Sequence, residues 1–192
     1  MEDFALDLHQ RLGTIKEQKR SFITGTTECI NDQWIFFDAE TDEASMLEEM
    51  IGKEVEVFTL NRWEKGVFVE DGLIQMRSYY YKLDNGDCLR FRKKLNLAYK
   101  ELLESFTEEQ FLRFTSTLNE LSFSLYDCIY CHNQLMYQPE HVENEGVNFI
   151  LFDNTEILMS VHHHFSRGKL KKDRFEFTLA NGKRTILSTL CR

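Results

Sequence analysis

The feature that most constrains this chain is an apolar stripe running from Phe111 to Leu135. Phe111, Phe114, Leu118, Leu121, Leu125, Cys128, His132 and Leu135 follow one another at intervals of three and four without a break. That spacing lines one face of an α-helix. It predicts one long helix, or two nearly collinear ones, whose apolar face must be covered and which therefore sits at the centre of the fold. Thr107-Glu-Glu-Gln110 supplies a capping box at its start, with Phe106 and Phe111 placed as a hydrophobic staple. Residues 95–104, rich in good helix formers, predict a helix just before it.

On either side of this centre the pattern is β. Residues 1–20 read as a short helix and a charged connection. Residues 22–30, 34–38, 54–57, 63–70, 73–83 and 87–92 then read as short strands. Asn31-Asp32 marks a hairpin turn, and Ser45-x-x-Glu48 marks a helix of one to two turns. Such a meander predicts a small SH3-like barrel. Residues 149–153, 156–165, 174–180 and 184–190 predict four further strands, with Asn154-Thr155 and a type I′ turn at Asn181-Gly182 between them. The expected fold class is α+β: an N-terminal small antiparallel β-barrel, SH3-like, then central helices, then a C-terminal four-stranded antiparallel sheet. Residues 1–94 form the barrel region and 95–192 the helices plus sheet. With one Pro and no Pro/Gly/Ser-rich linker, the two are expected to make one compact unit.

Charge narrows the function classes. The 192 residues carry 23 Lys and Arg against 32 Asp and Glu, a net charge of −9. Such a field repels polyanions and anionic lipid, so nucleic acid is not the expected partner of the chain as a whole. No run approaches the roughly 20 apolar residues of a membrane span, and residues 1–7 lack the basic and apolar regions of a signal peptide. A cytoplasmic protein is expected, with its five Cys as free thiols unless they bind metal or do redox work.

Cys128-Ile-Tyr-Cys131-His132 spells C-x-x-C-H, the attachment sequence of c-type haem. In helical phase Cys128 and His132 fall on the apolar stripe, and Cys131 falls with Ser124, Asp127 and Gln134, nearer to solvent. Covalent haem is assembled outside the cytoplasm and is not expected here. Zinc suits the residue types better, because Cys-x2-Cys is half of a structural site. The other half would come from His162 and His164, an H-x-H pair that shares one face of a strand. Val161, His163 and Phe165 then face the core, while His162 and His164 go outward with Ser160. The candidate metal set is Cys128, Cys131, His132, His162 and His164. A thioredoxin-like role needs C-x-x-C at a helix N-terminus, not deep within a helix.

A second constellation surrounds Asn85-Gly86. A two-residue turn there would place Tyr81 opposite Arg90, Tyr79 opposite Arg92 and Arg77 opposite Lys94, all on one side of a hairpin over 77–94. Alternating Tyr and Arg make a cationic stacking platform for single-stranded nucleic acid or nucleotides. Phosphate-cradling glycine loops and the G-x-S-x-G nucleophile elbow are absent from the sequence.

The block Leu118-Asn-Glu-Leu-Ser-Phe-Ser-Leu-Tyr-Asp-Cys-Ile-Tyr-Cys-His-Asn133, with Trp34-Ile-Phe-Phe-Asp-Ala-Glu-Thr-Asp42, resembles an uncharacterised protein family of Gram-positive bacilli. That resemblance implies a cytoplasmic protein and attaches no activity to any residue. The expectation from sequence is a non-catalytic module that binds a protein partner, or a second copy of itself, through β surfaces. A metal- or thiol-dependent protein using Cys128, Cys131 and His132 is the competing class, and nucleic-acid binding through the Tyr/Arg hairpin is a further one.

Overall fold

The structure is a computed structural model that describes residues 11, 13–137, 144–168 and 171–191. The helix expected within residues 1–20 lies largely outside the described residues; 13–16 are helical. In chain order the strands are β1 (Phe22–Ile30), β2 (Gln33–Asp38), β3 (Ala44–Met46), β4 (Glu54–Thr59), β5 (Arg62–Phe68), β6 (Leu73–Met76), β7 (Tyr80–Lys82) and β8 (Cys88–Arg92). Then come helices α1 (Leu97–Ser105) and α2 (Glu108–Glu120), followed by β9 (Cys128–His132), β10 (Asn144–Asp153), β11 (Leu158–Arg167), β12 (Lys171–Leu179) and β13 (Arg184–Cys191). The class is α+β, mostly antiparallel sheet with few helices. The chain divides into two compact units, residues 22–93 and the remainder.

Residues 22–93 form one eight-stranded antiparallel sheet in the order β3-β2-β1-β8-β4-β5-β6-β7. The expected SH3-like barrel is not formed, because the end strands β3 and β7 do not pair and no ring of hydrogen bonds closes. Period-two alternation is the same in an open sheet and a barrel; strand number and order decide closure. Here β8 enters between β1 and β4 instead of returning onto β7. Asn31 and Asp32 both have positive φ (53° and 62°), as the turn joining β1 to β2 requires. Gly72 (φ 71°) has no room for a side chain, since a Cβ there would lie 2.4 Å from the Trp34 ring. The short helix expected after Ser45 is a 3₁₀ turn, Leu47–Met50, without a side-chain cap.

The second unit holds a five-stranded antiparallel sheet, β13-β12-β11-β10-β9, with α1 and α2 against its inner face. The sequence predicts four strands; the fifth is β9, taken from what the apolar stripe assigns to helix. The helix stops at Leu121 for a local reason. Ser122 adopts φ 68°, its N–H donates to the Asn119 carbonyl, and the Phe123 N–H donates back to the Leu118 carbonyl at 2.8 Å. This is a Schellman C-terminus with Ser where Gly is usual, and Phe123 and Leu118 are both buried beside it. Ser124 then caps a 3₁₀ turn, Leu125–Asp127, as a capping box with Asp127. Two further hydrogen bonds from Arg20 fix the Asp127 carboxylate, at 2.6 and 2.8 Å.

The core of this unit is aromatic. Phe114 of α2 is fully buried, with its ring centroid 5.3 Å from that of Phe175 and 5.6 Å from that of Phe177. Burying one such ring contributes about 2–3 kcal/mol. The β12–β13 turn is not type I′: the Gly182 N–H donates to the Leu179 carbonyl, and Gly182 (φ 87°) closes a three-residue loop with a bulge. None of the described helices is long and apolar enough to cross a membrane.

Candidate functional site

Strand register sorts the predicted site residues onto two faces. Residues directly opposite in an antiparallel ladder project to the same side. One row across the five-stranded sheet reads His132, Phe149, His162, Glu176, Ile186. The adjacent row on that face reads Val147, His164, Arg174, Ser188. Between them, on the other face, lie Asn148, His163, Phe175 and Leu187, all buried. The alternation expected for Val161, His163 and Phe165 inward and His162 and His164 outward is therefore the one the structure has.

The C-x-x-C-H group is split by the same alternation. Cys131 lies opposite Ile150 and Cys128 opposite Phe152, and both pack on the helix-facing core. His132 is exposed on the outer face. Helical phase predicts the reverse for Cys131 and His132, and the error follows from reading a strand as a helix. The set Cys128, Cys131, His132, His162 and His164 thus does not converge: the thiols face the core and the imidazoles face outward. His132 and His162 are further separated by β10, a spacing of about 10 Å.

Both thiols are inert by environment. Burial pushes Cys128 up to about 12, with Cys131 adding to the effect, and burial alone does the same for Cys131. Neither is a thiolate near neutral pH. The Cys128 Sγ lies 3.6 Å from the Asn96 Nδ2 and donates to the Tyr130 carbonyl. Tyr99, fully buried nearby, has a hydroxyl without a hydrogen-bond partner, and its pKa is raised by burial first and then by the two cysteines.

Sequence reasoning missed a buried polar cluster centred on Asp173. His163 Nε2 contacts its Oδ1 at 2.7 Å, Arg167 donates to the same oxygen at 2.7 Å, and Gln110 donates to Oδ2 at 2.6 Å. The His163 ring stacks on Phe175 at 4.2 Å, and its Nδ1 meets Asn148 Nδ2 at 3.1 Å. Asn148 Oδ1 accepts from the Gln134 N–H, so Nδ2 is the donor toward His163. Nδ1 therefore accepts and Nε2 carries the proton toward Asp173. Burial lowers the His163 pKa despite the carboxylate, which keeps the ring neutral. Burial raises Asp173, but hydrogen bonds from His163 and Arg167 outweigh it and hold the carboxyl below its usual range. The arrangement has the His–Asp half of a triad, but an amide occupies the position of a nucleophile and both groups are sealed. A period-two His163 facing an apolar strand surface was the available signal; its partner ten residues on was not.

The outer face carries the accessible chemistry. One ligand atom each from His162, His164 and Glu176 lie within 4.8 Å of one another. His164 Nε2 is buried, makes no hydrogen bond and sits 3.7 Å from Glu176 Oε1. Arg174 meets that same oxygen at 2.5 Å, and Arg184 donates to Oε2. Arg184 first, and Arg174 with it, hold the Glu176 carboxyl below its usual range. An open pocket of roughly 350 Å³ begins at His164 and Arg174 and continues over Lys172 and Ser188. Elsewhere on the same face Tyr130, Phe149 and Ile186 are 56%, 45% and 51% exposed.

The Tyr/Arg hairpin does not form. β7 pairs with β6, and β8 pairs with β1 and β4, so Tyr79 and Tyr81 do not lie opposite Arg90 and Arg92. The Asn85-Gly86 turn exists, but the Gly86 N–H is bound to the Thr27 carbonyl. Arg90 is held between the Phe22 and Trp63 rings, at 4.1 and 4.3 Å, and pairs with the buried Glu56 at 2.5 Å. The Arg92 guanidinium also lies over the Phe22 ring, at 4.5 Å. Tyr79 donates to Glu64 and Tyr81 to Asp87. Arg77 lies in the exposed link between β6 and β7.

Fold and surface together define an α+β protein of two antiparallel-sheet units in which, among the described residues, the accessible histidines lie on the outer face of the second. The chain belongs to a family described as Protein of unknown function (DUF2777), whose model matches residues 9–189. It is similar to Uncharacterized protein YisN of Bacillus subtilis (strain 168), with 29% identity over 129 residues, 67% of this chain and 66% of that protein. The chain thus spans just under two thirds of that relative's length. No solved structure matches it.

Proposed function

We propose that this is a non-catalytic cytoplasmic binding module whose outer five-stranded face docks an acidic, partly apolar segment of a partner protein. The observation that carries this is the composition of that face. Exposed Tyr130, Phe149 and Ile186 share that face with His132, His162, His164, Arg174, Arg184 and Lys172, and with the acids Glu145, Asp153 and Glu176. On a chain of net charge −9 this face sets three cations and three imidazoles against three carboxylates, with exposed aromatic rings on the same side, and the complement of its cations is acidic with apolar anchors. Solvent-exposed aromatic side chains and Arg, both present on this face, are the residue types that dominate binding energy at interfaces. The sealed His163–Asp173 pair and the protonated thiols favour binding over catalysis.

A photo-crosslinking residue placed at Phe149 tests this in cells of a bacillus. One discrete adduct with an acidic protein, absent when the same residue replaces the exposed Leu60, is the expected result. No adduct, or an adduct only with a second copy of the chain, would rule the partner reading out.

A further inference from the structure

We propose that His162, His164 and Glu176 bind one divalent transition-metal ion of the zinc class on the outer face of the five-stranded sheet. The inference is independent of the docking reading. His162 and His164 stand two apart on β11, and Glu176 lies directly opposite His162 on β12. Two imidazole nitrogens and a carboxylate oxygen therefore converge from a rigid two-strand platform rather than from loops. Imidazole with carboxylate is a donor set for zinc, nickel or copper, softer than calcium or magnesium require. The three ligand atoms lie within 4.8 Å of one another, so small rotamer changes bring them to one ion.

Two details favour an ion over a plain surface cluster. His164 Nε2 is removed from solvent and yet has no hydrogen-bond partner. A nitrogen in that state is normally satisfied by something, and it points to within 3.7 Å of a carboxylate oxygen. Arg184 holds the far oxygen, Oε2, which orients the carboxylate so that Oε1 turns toward His164. That is the role an outer-shell partner plays for a ligating carboxylate. The pocket beginning at His164 leaves a path by which water completes the coordination.

Arg174 opposes the ion. Its guanidinium holds Oε1, the oxygen the metal needs, and adds a positive charge beside it. Its side chain is 49% exposed, so it can release the carboxylate to solvent, but it makes binding competitive. This competition gives the proposal a test that an anion site would fail in the opposite direction. Removing one positive charge roughly 5 Å from a dication in near-aqueous surroundings is expected to tighten binding about tenfold.

The test is calorimetric titration of the full, tag-free chain with Zn²⁺, repeated with Co²⁺ and read by visible absorption. One equivalent should bind, with cobalt d–d bands. His164→Ala and Glu176→Gln should each weaken it by at least about tenfold, His132→Ala should leave it unchanged, and Arg174→Ala should tighten it. Circular dichroism of each variant separates ligand loss from misfolding. No binding, binding indifferent to His164→Ala, or weaker binding in Arg174→Ala would each overturn the proposal. A parallel titration with inorganic phosphate completes it: phosphate binding abolished by Arg174→Ala, with no metal bound, would make this an anion site and sink the metal assignment.

Discussion

Replacing Asp173 with Ala should destabilise the C-terminal unit more than any other single polar change in it. The carboxylate accepts from His163, Gln110 and Arg167. Arg167 is 21% exposed, so water can replace part of what it loses, whereas His163 and Gln110 are buried, and water cannot readily replace the acceptor that each loses. Each hydrogen bond lost to the charged carboxylate costs about 1.5–3 kcal/mol, and because His163 is neutral no isolated buried charge is left behind. With partial rescue of Arg167, a loss of about 4 kcal/mol is expected, or about 8–16 °C in Tm for a chain of this size. Asp173→Asn keeps the volume and one acceptor oxygen and should lose about half as much. Urea unfolding followed by circular dichroism measures both. A loss below about 1 kcal/mol for Asp173→Ala, or equal losses for the two variants, would refute the reasoning. Equal losses would assign the cost to packing rather than to the hydrogen bonds.

Three other outcomes follow from local features. His163 is held neutral in the folded protein but free to protonate when unfolded, so the folded state binds fewer protons. Stability should therefore rise with pH and fall as pH drops below the ordinary His value of 6.5, and His163→Asn should flatten that slope between pH 7 and 5 in denaturant titrations. Native alkylation at pH 7.5 with mass-spectrometric readout should label exposed Cys29 well before Cys128 and Cys131, whose thiols burial pushes up to about 12. Faster labelling of Cys131 would contradict its inward placement. Ser122→Gly should raise stability by about 0.5–1 kcal/mol, since Ser122 holds φ 68° at a helix end; no gain would mean the strain is absent.

What the sequence made legible depended on whether the deciding interaction was local. The His162–His163–His164 alternation needed only the apolar neighbours Val161 and Phe165, and strand period two then placed all three rings. The start of α2 was equally readable, because the Thr107–Gln110 capping box is a four-residue signal. The end of α2 was not read, although Ser124-x-x-Asp127 repeats that signal and marks a new start. Ser122 hid the stop by doing the work of a glycine, and the 3-4 spacing continued through Cys128 and His132 although their strand phase differs. At Asn85-Gly86 the turn was correctly seen, but the partner of β8 was not. Glu56 on β4 and Phe22 on β1 receive Arg90, and neither is near it in sequence. Glu176 entered the candidate site for the same reason: only the β11–β12 register brings it opposite His162.

The most direct test of the account is a long-range ¹H–¹⁵N spectrum of the histidine side chains during Zn²⁺ titration. Strand alternation sets His162 and His164 outward as a pair, leaves His132 two strands away and seals His163 inside. Resonances of His162 and His164 should move together and saturate at one equivalent, while His163 stays in its single neutral tautomer and His132 is unmoved. Perturbation of His132 together with loss of free Cys128 and Cys131 thiols, with His162 and His164 silent, would contradict it.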